Sequence, residues 1–132
     1  MRLLLDSHFA FWLALKRDVL KPAEFAILGD PSNDLFVASV AIWELRIKWE
    51  RRFVSGARKG EASPADVLDS LRLMGVELVD LDGDTAVATL SDPIAHSDPF
   101  DELLLVIAQE RGMKLFTRDS KMAGHPLVIS AI

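Results

Sequence analysis

The stretch HSDPFDELLLVIAQ, residues 96–109, sets Asp98 and Asp101 three positions apart at the mouth of an otherwise apolar segment. Asp98 reads as a helix N-cap, with Pro99 at the first helical position. Asp101 falls at the third, where a carboxylate favours the positive end of the helix dipole. The residues from Leu103 to Ala108 are all apolar. A helix apolar around most of its girth is buried on more than one side, between a sheet and a further layer that could be a second copy of the chain. Gly112 ends this helix, MKLFT (113–117) reads as a strand, and Arg118 and Asp119 leave it. The paired aspartates therefore have two readings, helix capping and metal binding.

Working outward, the same alternation recurs. RLLLD (2–6) is a short apolar run that ends in a carboxylate, and SHFAFWLALK places Phe9, Trp12 and Leu13 on one helical face. Asp6 is then the hinge between a strand and a helix. A helix is expected over 22–28, opened by Pro22 and broken by GDPSND. LFVAS (35–39) reads as a buried strand, followed by the helix AIWELRIKWERR with Glu44 about a turn and a half inside it. The basic segment through Lys59, with Gly56 and Gly60, is expected to fray into a loop. SPADVLDSLRLMG carries a Ser63 cap, Pro64 at its first position and Gly75 as its stop. VELVDL (76–81) is a strand, Asp82 caps a helix through about Leu90, and PLVIS (126–130) is a last strand. Alternating strands and helices imply a parallel sheet flanked by helices on both faces. One α/β domain over residues 1–132 is the expectation.

Composition narrows the chemistry. The chain has 132 residues, half of them apolar, and no cysteine. That removes disulfides, thiolate–zinc sites and cysteine catalysis. His8, His96 and His125 are the only histidines and receive no role. The longest apolar run, FAFWLAL, is far short of the ~20 residues a membrane span needs, and Asp6 and His8 interrupt any signal-peptide core. The chain reads as cytoplasmic. Net charge is −5, yet Arg46, Lys48, Arg51, Arg52, Arg58 and Lys59 cluster against a single Glu50. Such a cluster is either a solvated helix face or a seat for a phosphate backbone.

In a parallel sheet, ligands bind beyond the carboxyl ends of the strands. Asp6, Glu44, Asp101 and Asp119 all fall at that rim, with Asp98 as a fifth candidate. Gathered carboxylates repel one another unless cations intervene. Hard divalent ions with oxygen ligands, Mg²⁺ or Mn²⁺, answer that need and support metal-assisted phosphodiester hydrolysis. Each residue also has a structural alternative: Asp6 and Asp98 as caps, Glu44 as a surface residue, Asp119 as part of a turn.

The segments LLLDSHFAFWL, VASVAIWELRIK and HSDPFDELLLVIAQERGMKLFTRD together resemble PIN-domain proteins, specifically the VapC toxins of bacterial type II toxin–antitoxin pairs. The resemblance covers nearly the whole chain. It implies that Asp6, Glu44, Asp101 and Asp119 form the acidic quartet that holds Mg²⁺, with Mn²⁺ as a substitute. Asp98, Ser7 and Thr117 match supporting positions. Glu102 departs from the pattern, standing where many relatives have arginine. The resemblance also implies an endoribonuclease toxin that hydrolyses RNA with metal-activated water, a homodimer, and a VapB-like antitoxin partner. The basic cluster would help to hold RNA. The alternatives are a PIN-type nuclease acting on DNA or in RNA processing, and a non-cleaving RNA-binding module. A phosphoacceptor receiver domain is disfavoured, since Asp6 is followed by Ser7 and His8 and no lysine follows PLVIS.

Overall fold

Leu3, Leu4 and Leu5 have no exposed surface at all. Successive strand residues face opposite sides of a sheet, so a strand with three such residues in a row is covered on both faces. In the computed structural model, which describes residues 1–58, 60–94 and 98–131, this strand is β1 (Arg2–Leu5). The others are β2 (Asp34–Ala38), β3 (Glu77–Val79), β4 (Lys114–Phe116) and β5 (Val128–Ile129). All pair in parallel, in the order β3-β2-β1-β4-β5. Leu5 lies opposite Val37 on one side and Phe116 on the other. The helices are α1 (Ser7–Leu15), α2 (Pro22–Leu28), α3 (Ser39–Glu50), α4 (Pro64–Leu73), α5 (Gly83–Ala86) and α6 (Pro99–Arg111). The α/β architecture expected from the sequence is the one observed.

The strand order decides where a ligand can sit. From β1 the chain steps to β2 and β3 on one side, then returns to β4 and β5 on the other. Open α/β sheets bind ligands at this reversal, outside the carboxyl ends of the strands. Asp6 and Thr117 are the residues that leave β1 and β4 there. Beneath them, the Phe9 and Phe116 rings pack with centroids 4.5 Å apart.

The apolar run of α6 is accounted for within one chain: Leu104 to Ala108 are all buried. Leu103, which opens the run, is partly buried. Two local expectations are corrected. The helix capped by Asp82 is a single turn, Gly83–Ala86, rather than reaching Leu90. The residues after it are held instead by α6, whose Gln109 accepts from the Ser91 amide at 2.9 Å and donates to the Thr89 carbonyl at 3.0 Å. Helix α3 ends at Glu50, so Arg51 and Arg52 lie beyond it. They lead into a short hairpin rather than a frayed loop, with Arg52 bridged antiparallel to Arg58. Among the described residues, no helix is long and apolar enough to cross a membrane.

One ion pair, buried on its glutamate side, ties α2 to the end of β4. Glu24 is 1% exposed, and Arg118 grips both its carboxylate oxygens through Nε and Nη2 at 2.5 Å. Arg118 Nη2 also donates to the Val19 carbonyl at 2.9 Å, and its guanidinium lies 4.3 Å from the Trp12 ring centroid. Glu24 Oε1 accepts from the Lys21 amide at 2.7 Å as well. The Arg118 hydrogen bonds hold the Glu24 carboxyl below its ordinary value of 4.5. A depressed folded-state pKa contributes stability that is present above the ordinary value and lost as pH falls through the folded one. Glu24→Gln, which takes the counter-charge from a partly exposed Arg118, is expected to cost roughly 1–3 kcal/mol. In circular-dichroism melts the wild type should lose stability steeply on acidification below pH 4.5, and the variant should show a flatter profile.

Candidate active site

The acidic site is built from ends of elements. Asp6 leaves β1 and caps α1: its Oδ1 accepts from the Phe9 amide at 2.8 Å. Its other oxygen, Oδ2, accepts from the Thr117 hydroxyl at 2.6 Å. Thr117 is itself 1% exposed, and its Oγ1 accepts from the Asp119 amide at 3.1 Å. One hydroxyl thus joins the ends of β1 and β4 and sets the path into Asp119. Asp119 caps the 3₁₀ turn Ser120–Met122 by accepting from the Lys121 amide at 2.9 Å. Asp98 caps α6, accepting from the amides of Phe100 and Asp101 at 2.9 and 3.3 Å.

These residues line one cleft of about 480 Å³. Asp6, Ser7, Glu44, Asp98, Asp101, Thr117 and Asp119 all border it, so the four proposed ligands and the three supporting residues are brought together. Glu102 is exposed and does not border it. Burial pushes the Asp6 carboxyl above its usual range, and the Glu44 carboxylate adds to the rise. The Phe9 amide, the Thr117 hydroxyl and His8 oppose that shift.

Sequence reasoning missed part of the lining. Lys48, grouped there with the basic cluster, borders the cleft and stands 3.8 Å from Glu44 one helical turn away. Arg118, His8 and Trp12 border it too, and the rings of His8 and Trp12 stack at 5.5 Å. Glu24, which anchors Arg118, gave only the ordinary pattern of an acidic residue in a first helical turn. No local signal marks it as buried. Of the remaining basic candidates, Arg46 pairs with Glu50 at 3.1 Å, while Arg51, Arg52 and Arg58 belong to the hairpin after α3. Lys59 and His96 lie outside the described residues.

The donor set is all oxygen, from carboxylates and hydroxyls, which suits a hard divalent ion rather than a thiolate-seeking one. Among the described residues, no three acidic or histidine side chains close on one point. Magnesium is commonly held by one or two carboxylates with water completing its shell, and carboxylates that line a cleft without converging fit that mode.

Comparison with known proteins places this arrangement. The PIN domain family model matches residues 3–125, and the chain belongs to the PIN-domain family. PIN domains are nucleases and generally use a divalent metal. Two solved structures share the fold. One is VapBC2 from Rickettsia felis bound to a DNA fragment from its promoter, with TM-score 0.60, 15% identity, and coverage of 98% of this chain and 97% of that one. The other is a toxin–antitoxin complex from Klebsiella pneumoniae, with TM-score 0.61, 17% identity and coverage of 98% and 97%. A search of curated protein sequences finds no significant match.

The Thr117 hydroxyl stabilises the ionised form of a buried carboxyl, so its loss should be felt in stability and in titration. Thr117→Val is expected to cost about 2 kcal/mol at neutral pH and to raise the Asp6 titration further. The cost should shrink at acid pH, where Asp6 is protonated, and Thr117→Ser should retain most of the bond. Denaturant unfolding at several pH values, with carboxyl-carbon NMR of Asp6, reads both effects.

Proposed function

We propose that the chain is a Mg²⁺-dependent endoribonuclease of the VapC type, the toxin half of a toxin–antitoxin pair. The observation that carries this reading is the carboxylate-lined cleft at the sheet's point of reversal in a PIN fold. The fold shared with two toxin–antitoxin complexes supports the partner assignment, a VapB-like antitoxin. A homodimer and a cytoplasmic setting belong to the same reading.

In this reading Asp6, Glu44, Asp101 and Asp119 would hold the cation, one or two of them directly and the others through its water shell. When bound, such an ion stabilises developing negative charge on a phosphodiester and supplies a nucleophile at neutral pH. The chain's own part is positioning. Thr117 fixes the rotamer of Asp6 through a 2.6 Å bond, while Ser7, buried at the start of α1, closes the floor beside it. Lys48 holds a positive charge on the rim, 3.8 Å from Glu44, where an RNA phosphate would approach. Asp98 sets the start of α6 by capping it, and Asp101, in the first turn, presents a carboxylate to the cleft. The opening pair of aspartates therefore divides the work, one chiefly structural and one functional.

The test is cleavage of labelled transfer, ribosomal and messenger RNAs beside single- and double-stranded DNA, in Mg²⁺, Mn²⁺ and EDTA, with Asp6→Asn as control. Discrete RNA cuts that need metal and vanish in the control are expected. Cutting of DNA alone, or binding without cutting, would overturn the toxin assignment. Within the same assay, Asp101→Asn should abolish cleavage with little loss of stability. Asp98→Ala should cost about 1 kcal/mol of stability and only part of the activity. Equal and complete loss of activity in both would refute the division between them.

A further inference from the structure

We propose that Glu24, buried outside the cleft, is a positioning residue that holds the Arg118 guanidinium out of the cation's place among the cleft carboxylates. This rests on the nuclease reading, and it gives a residue that does not border the cleft a part in its metal affinity. Arg118 stands between Thr117 and Asp119 in sequence and borders the cleft with both. Its side chain is 30% exposed, against 2% for that of Glu24. Among the described residues Arg118 pairs with Glu24 and with neither Asp6 nor Asp119, although those two carboxylates line the same cleft.

The hold on Arg118 comes above all from Glu24, which takes Nε on one oxygen and Nη2 on the other, at 2.5 Å each. The Lys21 amide fixes that carboxylate in turn, donating to Oε1 at 2.7 Å. The remaining contacts are weaker ones, the Val19 carbonyl at 2.9 Å and the Trp12 ring at 4.3 Å. A two-point pair with a carboxylate is among the strongest contacts a guanidinium makes, and it fixes the plane of the group as well as its place. Glu24 holds Arg118 in its charged form, and Asp6 adds to that effect. The cleft therefore already exerts a pull on this charge.

Stability alone does not call for such a pair. Burying a carboxylate costs desolvation, and a well-packed apolar pair often serves a fold as well. The position beside the cleft supplies another reason. Gathered carboxylates are stabilised by any cation that reaches them, and an arginine next to Asp119 is a cation covalently tied to the site. Freed of Glu24, its guanidinium would turn to Asp119 and Asp6 and occupy the position that a divalent ion needs. Glutamine at position 24 would free it, because the amide nitrogen sets a donor against one of the two guanidinium donors.

The test measures Mn²⁺ binding to the purified chain, from the free-ion signal in electron paramagnetic resonance, for wild type, Glu24→Gln, Arg118→Gln and the double variant. Glu24→Gln should weaken binding about tenfold, the order expected when a unit positive charge moves against the carboxylates. Arg118→Gln alone should leave it within about twofold, since its charge is already matched by Glu24. The double variant should bind close to wild type. A double variant as weak as Glu24→Gln would make the pair a structural support and overturn the proposal, and so would single effects that merely add. Circular dichroism checks that each variant folds. Wild type supplies a second readout: hydrogen exchange at Arg118 Nε should be slow and unmoved by Mg²⁺. Exchange that changes with Mg²⁺ would show the guanidinium already visiting the cleft, and would overturn the proposal. A wild type that binds no divalent ion would overturn the nuclease reading and the proposal with it, whereas Glu24→Gln binding Mn²⁺ as wild type does would overturn the proposal alone.

Discussion

A carboxylate at the end of a fully buried strand is the constraint on which this structure turns. Leu3, Leu4 and Leu5 carry β1 through the centre of the molecule without exposure, and Asp6 comes next at 8%. An isolated charge there is costly unless hydrogen bonds replace its water. Both oxygens of Asp6 are accordingly engaged, one by the amide that opens α1 and the other by Thr117 from β4. The same interactions that make the charge tolerable orient it toward the cleft. Stability and site geometry are set by one group of contacts.

Around that point the fold balances opposing charge by layers. Arg118 is spent on Glu24, away from the carboxylates, yet its positive charge still feels Asp6. Lys48 stands beside Glu44, and His8 tempers Asp6. The cleft is therefore lined by carboxylates, with Lys48 and Arg118 beside them. In the proposed reading, a phosphodiester would meet repulsion from these carboxylates until a divalent cation neutralised them.

The readable part of the sequence was local. Strand and helix alternation, the Asp-Pro start of α6 and the Gly112 stop follow from short-range rules, and Gly112 takes the left-handed conformation such a stop uses. The acidic positions at the rim were legible because a parallel sheet sends all its strand ends one way. Long-range partners were not legible. Nothing near Glu24 points to Arg118, 94 residues later, and nothing near Lys48 separates it from the arginines that come after it. The overlong helix after Asp82 failed for the same reason, since the Gln109 side chain from α6 holds Thr89 and Ser91 in place. The hairpin at 52–58 was hidden by its glycine and polar residues, which read equally as loop.

The position of β1 also orders events in time. It is the first strand of the chain and the central strand of the sheet, and the bond that completes its end comes from a residue 111 positions further on. Long-range parallel pairing of this kind is slow to form, and domains fold during synthesis from the N-terminal side. A growing chain on the ribosome exposes the Leu3–Leu5 edge while β4 is still unmade. It cannot assemble the cleft until Thr117 and Asp119 have emerged. The cleft is thus a late product of folding, closed by the pairing of strands far apart in sequence rather than by any local element.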